Sequence, residues 1–443
     1  MATRAMSRAV WSVSLPILFA QTSETIVHVT NTIFLASVGV GALGAIALAD
    51  TIYELVMVLA VGLAAGIQIL VARRAGQRRK EAIGETFNLG LGLLLSVSLA
   101  LMLALRLGAP YLSALVVQSA DVRAAVVQFL RVIAFGMLFH AANLAYAALF
   151  IGLSRTGALI PATLLLAGTN IVLDYSLILG HFGLPRLGIA GAGWGSVGAE
   201  VVTFLYLTLH TLRRLGIDEY GLFRRPRFHG RLIRLLWTIS APVALQALVE
   251  GVRWFLFFVI VEHLGEQMLA MSNVVYSFYA LLRVPTEGFA ETTCSMVSGL
   301  IGRSQASRIG MLVRRVITPC YLITLPFAAL AFLFPESLVS SFTGNQAVIA
   351  GCAGGVRVVA AAMPVIIPAQ MWFSAVSGTG DTGVAFLIEF ALTVAMILVA
   401  YLAGFTLRLP LGYVWASLPV SWLLCLSLSY GWIRTGHWRR LAI

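Results

Sequence analysis

The sequence predicts an all-α polytopic membrane protein, with twelve transmembrane helices arranged as two six-helix bundles related by a pseudo-two-fold axis. Three observations carry this expectation: composition, the recurrence of long apolar stretches, and an internal repeat. Of 443 residues, 60% are hydrophobic and 11% are charged, and the mean hydropathy is +0.93. A soluble globule of this length needs more polar surface than that, so lipid must serve as part of the solvent. Runs of about 20 apolar residues, enough to cross a hydrocarbon core of roughly 30 Å, recur along the chain.

The runs fall near residues 10–35, 44–70, 87–108, 126–151, 157–180, 188–212, 235–261, 268–298, 311–334, 350–377, 383–405 and 411–433. The first contains Pro16, Glu24, His28 and Asn31 and is followed by no A-x-A site, so a cleavable signal peptide is not expected. The fifth carries Asn170 and Asp174. The sixth opens on Gly191-Ala-Gly193-Trp-Gly195-Ser-Val-Gly198, which looks like a dinucleotide fingerprint but follows no strand. Close helix packing through small residues is the expectation there. Cys294, Cys320, Cys352 and Cys425 lack C-x-x-C spacing and read as packing residues.

Shifting the chain by 226 residues lays Pro16 over Pro242, Glu24 over Glu250, Gly39 over Gly265, Gly76 over Gly302 and Arg131 over Arg357. A loop repeats as well: Gly152-Leu-Ser-Arg-Thr156-Gly157 falls on Gly378-Thr-Gly-Asp-Thr382-Gly383. Six helices per half return the chain to its starting side, so the halves share one orientation and a pathway is expected between them. The boundaries read as an N-terminal lobe 1–212, a hydrophilic linker 213–234 and a C-terminal lobe 235–443.

The net charge of +12 raises the possibility of nucleic-acid binding, and its distribution argues against it. With a cytoplasmic N-terminus, 22 of the 30 basic residues fall inside, and only Arg106, Arg123, Arg186 and Arg408 fall outside. That asymmetry predicts both termini in the cytoplasm.

Nine of the 18 acidic residues lie within predicted spans: Glu24, Asp50, Glu54, Asp174, Glu200, Glu250, Glu287, Glu291 and Glu389. Arg131, Arg253, Arg283 and Arg357 accompany them. Each charge costs about 2.5–3.5 kcal/mol at a helix centre, so these residues must face a polar interior. Residues three, four or seven apart share a helix face. Glu24, His28 and Asn31 therefore form one stripe, Asn170 and Asp174 a second, and Arg283, Glu287 and Glu291 a third. Burial disfavours the charged form of a carboxyl group, which suits such a group to bind and release a proton near neutral pH. Arg283 with Glu287, and Glu250 with Arg253, also have the spacing of ordinary intrahelical ion pairs. Arg131 and Arg357 are expected to tie helix 4 and its repeat to their neighbours. There is no G-x-x-x-x-G-K-[ST], H-E-x-x-H or G-x-S-x-G, and no Cys/His cluster. Neither an enzyme nor a resident metal or cofactor is expected.

Asn170-Ile-Val-Leu-Asp174-Tyr-Ser-Leu-Ile-Leu-Gly180, followed by Gly183-Leu-Pro185-Arg-Leu-Gly188-Ile-Ala-Gly191-Ala192, resembles the multidrug and toxic compound extrusion (MATE) transporters. Leu15-Pro16, Asn31-Thr32-Ile33-Phe34 and Val71-Ala72-Arg-Arg-Ala-Gly76 resemble the same family. The resemblance implies a secondary antiporter of the bacterial inner membrane, working as a monomer. It would export amphipathic, cationic small molecules in exchange for H+ or Na+ by alternating access. It further implies ion coupling at Asp174, Asn170 and Asn31 in the first lobe, where the family's helix 1 acid is replaced by Asn31 and Glu24 is a possible substitute. In the second lobe it implies coupling at Glu250, with no acid around Ile366 to match the family's helix 10 residue. The substrate cavity is expected to use Glu287, Glu291, His28, Ser196, Tyr276 and Tyr279, the aromatic rings stacking on a cation. The alternatives are a flippase of a lipid-linked intermediate and a non-transporting membrane scaffold.

Overall fold

A computed structural model describes residues 2–36, 39–224, 229–340 and 345–440, excluding the side chains at 2–5, 24, 36, 40, 41, 43 and 440. Twelve long helical segments follow one another, and no strand occurs among the described residues. They are α1 (Ala2–Ala36), α2 (Val40–Gly76), α3 (Lys80–Val116), α4 (Ala120–Ile133 continued by Gly136–Gly152), α5 (Leu159–Leu179), α6 (Ile189–Arg214), α7 (Gly230–Leu264), α8 (Glu266–Gly302), α9 (Ile309–Leu333), α10 (Gln346–Gly378), α11 (Thr382–Tyr401) and α12 (Ser417–Thr435). Among the described residues, eight helices are long and apolar enough to cross a membrane. The two parts of α4, bent by 52°, make a ninth span when counted together. Segments α1, α6 and α8 are as long but less apolar. Leu103, Leu107, Phe327 and Leu398 are exposed, as lipid-facing residues are.

Two compact units make up the chain: residues 15–244, and residues 1–14 with 245–443. The first unit thus includes the start of α7, and the second the start of α1.

In the first unit α2 packs against α3 and α4, and α5 lies along α6. Gly62 and Gly66 let α2 approach the start of α7, since a Cβ at either would clash with Ala244 or Ser240. Gly191, Gly195 and Gly198 do the same for α6, facing Leu177, Asp174 and Leu173 of α5. The glycine-rich run is therefore a packing surface, as its lack of a preceding strand implies. A short helix, Ile217–Tyr220, docks on the start of α3: Asn88 Nδ2 donates to Gly221 O (2.8 Å) and Asn88 Oδ1 accepts from Phe223 N (2.8 Å). The first part of the expected linker is thereby pinned to this unit.

In the second unit α10 is central, packed against α8, α9 and α12. Ser14 Oγ of α1 donates to Thr292 Oγ1 of α8 (2.9 Å), and Trp11 stands edge-on to Phe289 (6.1 Å). The side chains of Asn345 and Asp381 accept from the first turns of α10 and α11, capping both helices.

The repeat reappears in the backbone. Gly39 (φ 149°) and Gly265 (φ 131°) precede α2 and α8 in a conformation that L side chains rarely adopt. Each then leads into a helix of 37 residues. Arg78 and Ser304 (φ 60° and 58°) are likewise equivalent, as are Ser154 and Gly380 (φ 55° and 88°). Arg131 and Arg357 are both exposed, so neither provides the interior tie expected of it.

Candidate functional site

The first unit places the Asn170–Asp174 face of α5 against α1 and α6. Asp174 is fully buried and Asn170 is 3% exposed. The orientation of the Asn31 amide follows from its neighbours. Its nitrogen donates to Asp174 Oδ2 (2.5 Å), Asn170 Oδ1 (3.0 Å) and Val27 O (3.1 Å). Asn170 Nδ2 in turn donates to Ser196 Oγ of α6 (3.3 Å). Asp174 Oδ1 has no hydrogen-bond partner and lies against Gly195. Among the described residues, no basic group forms an ion pair with Asp174. Four residues singled out in the sequence, Asn31, Asn170, Asp174 and Ser196, thus come together at one carboxylate that lacks a counter-charge. The Glu24 side chain lies outside the described residues. His28 is exposed on α1 and near enough to Asp50 of α2 for their charges to interact.

A second polar cluster lies in the same unit. His140 Nδ1 and Glu200 Oε1 are 2.7 Å apart, and Asn143 Nδ2 donates to Glu200 Oε2 (2.7 Å) and to Glu200 O (3.0 Å). This pairing joins α4 to α6 across 60 residues, a separation that helix periodicity cannot bridge.

In the second unit Arg253 and Arg283 pair with intramembrane acids. Arg253, 2% exposed, donates to Glu389 of α11 and to Glu250 Oε1 (3.2 Å). Arg283 donates to the same Glu250 oxygen (2.6 Å) and pairs with Glu287 (2.8 Å). Glu250 is therefore held between two guanidinium groups rather than standing as an isolated acid. Trp254, Tyr276 and Tyr279 form an aromatic cluster beside it, with ring centroids 4.6 Å (Trp254–Tyr276) and 5.2 Å (Trp254–Tyr279) apart. Tyr279 is buried within that cluster, so its ring has no open face for a substrate. Glu287 is exposed, and Glu291 is half-buried near Cys294. Ile366, at the level where an acid is missing, is buried in α10. Sequence spacing anticipated the pairs Arg253–Glu250 and Arg283–Glu287. It gave no sign of Arg253–Glu389, which spans 136 residues.

The sequence profile of the MatE family matches residues 16–176 and again residues 242–402, at the offset of the internal repeat. The chain belongs to the MATE family. Among relatives of this MATE protein, a probable multidrug resistance protein NorM from Pseudomonas aeruginosa is 26% identical over 446 residues, covering 98% of this chain and 86% of the relative. A protein of the same description from Brucella suis is 24% identical over 299 residues, covering 66% of this chain. The match spans 63% of the Brucella relative's length. A crystal structure of a MATE in the straight conformation superposes with a TM-score of 0.89 at 20% identity, covering 97% of this chain and 96% of that one. The fold is therefore the twelve-helix MATE fold, and the chain is an integral membrane protein of a transporter family.

Proposed function

We propose that this MATE protein is a secondary antiporter, exporting an amphipathic cationic small molecule in exchange for protons, with Asp174 as the proton carrier. The observation that carries this reading is the Asp174 site: a fully buried carboxylate whose neighbours are two amides and a glycine, with no ion-pair partner among the described residues. A buried, unpaired carboxylate is costly, and protonation is the cheapest way to remove its charge. Asn31 presents an amide nitrogen to Oδ2, which steadies the carboxylate. Release of the proton would leave a negative charge among Asn31, Asn170 and Ser196, which an organic cation can balance. Glu250 in the second unit is not a comparable site, because it is already balanced by Arg253 and Arg283. We assign Glu250 to fixed charge balance, with Glu287 and Glu291 giving the surface beside it an acidic character. The multidrug description of the NorM relatives supports a lipophilic cation as substrate.

The test is cationic-dye accumulation in everted membrane vesicles under an imposed proton or sodium gradient, at matched expression of each variant. Proton-driven accumulation that is lost in Asp174→Asn and kept in Glu250→Gln is expected. Accumulation driven only by sodium, or unchanged in Asp174→Asn, would overturn this assignment.

A further inference from the structure

Proton antiport through a single buried acid leaves a second titratable pair in the first unit without a role. His140 keeps 31% and Glu200 17% of their side-chain surface open. Glu200 is fixed on both oxygens, by His140 and by Asn143. A carboxylate held in this way fixes the orientation of the facing imidazole.

The pair lies one helical turn from the Asp174 site along α6. Glu200 follows Ser196 by four residues on one face of α6, a rise of about 6 Å along the helix axis. Ser196 Oγ accepts from Asn170, Asn170 accepts from Asn31, and Asn31 donates to Asp174. Two hydrogen-bonded polar groups, one around Asp174 and one around His140, are therefore set one turn apart along α6, the His140 group toward the Arg213–Arg214 terminus. Among the described residues, other charged or titratable groups approach His140 from its neighbours. Tyr53 of α2 stands edge-on to its ring (6.4 Å) and interacts with Glu200 and Asp50. Asp50 in turn interacts with Glu54 and with His28 of α1. Arg106 of α3 covers Phe135, five residues before His140.

We infer that His140, positioned by Glu200 and Asn143, is a second proton-holding station that receives the proton released by Asp174. This rests on the antiport reading above. In the transfer an O–H bond at Asp174 breaks and an N–H bond at His140 forms, leaving a carboxylate at one station and an imidazolium facing Glu200 at the other. Neutral pH is where imidazole changes charge most readily, which suits it to pass a proton onward.

The experiment has two arms on the full-length protein. In the first, the seven histidines are labelled with nitrogen-15 in detergent-solubilised protein, and the His140 ring signal is identified by its loss in His140→Gln. The expected result is a His140 signal that moves with pH, at a midpoint that changes in Asp174→Asn and in Glu200→Gln. A signal insensitive to pH, or a midpoint unmoved in Asp174→Asn, overturns the inference. In the second arm, dye transport is followed against pH in proteoliposomes. His140→Gln is expected to fold, to bind dye, and to transport with an altered pH profile and a several-fold lower maximum. An unaltered profile overturns the relay while leaving antiport at Asp174 intact. Loss of proton-driven transport in the wild type overturns the antiport reading itself, and the relay with it.

Discussion

Gly195 of α6 stands where any side chain would displace the carboxylate of Asp174 on α5: a Cβ there would collide with Asp174 Oδ1, an atom with no hydrogen-bond partner. The carboxylate is thus accommodated by the absence of a methyl group. Gly195→Ala is predicted to add about 1–3 kcal/mol of overpacking at the carrier. Proton-driven dye transport should fall, while the purified protein still elutes as a folded species.

Arg253 is predicted to be indispensable for stability. Its removal leaves Glu389, 6% exposed, as an uncompensated buried charge. Arg253→Met should cost about 3–5 kcal/mol, read as a fall in the thermal unfolding midpoint in detergent. Arg253→Met combined with Glu389→Met should recover most of the loss, because an apolar pair replaces the ionic one. Equal destabilisation in the single and double variants would contradict the ion-pair account.

Asn88 pins the segment after α6 by bonds to both Gly221 and Phe223. Asn88→Ala should cost about 1 kcal/mol per bond lost. Limited trypsin digestion is expected to show faster cleavage at Arg224, with transport reduced less than in Asp174→Asn.

Gly39 and Gly265 test the repeat at the level of the backbone. Replacement of either by Ala forces a side chain into a conformation at positive φ, at a cost of about 1–3 kcal/mol. Similar falls in thermal stability are expected for the two variants, whereas Gly157→Ala, with open space around it, should leave stability unchanged.

Much of this architecture was legible in the residues. The offset linking Pro16 to Pro242 and Gly39 to Gly265 marks equivalent helices and equivalent turns, because proline and positive-φ glycine are demanded by backbone geometry rather than by chemistry. The Asn170–Asp174 face and the Glu24–His28–Asn31 stripe were legible from helical spacing, and the resemblance joined Asn31 to Asp174. What spacing could not provide was pairing between distant helices. The unions of His140 with Glu200 and of Arg253 with Glu389 depend on which faces meet after packing. The same limit explains the differing fates of the two halves. Arg253 occupies the repeat position of Val27 and Glu389 that of Thr163, while Ala400 and Met396 stand where the first half has Asp174 and Asn170. One half has an acid without an ion-pair partner among the described residues and the other has internal counter-charges, a contrast visible only when the partners are known.

The most direct measurement of the central claim is proton release on cation binding, followed with a pH indicator in weakly buffered purified protein, comparing wild type with Asp174→Asn. A lipophilic cation should expel protons from the wild type in proportion to its binding, and none from Asp174→Asn. Undiminished proton release from Asp174→Asn would contradict the assignment of the carrier to Asp174.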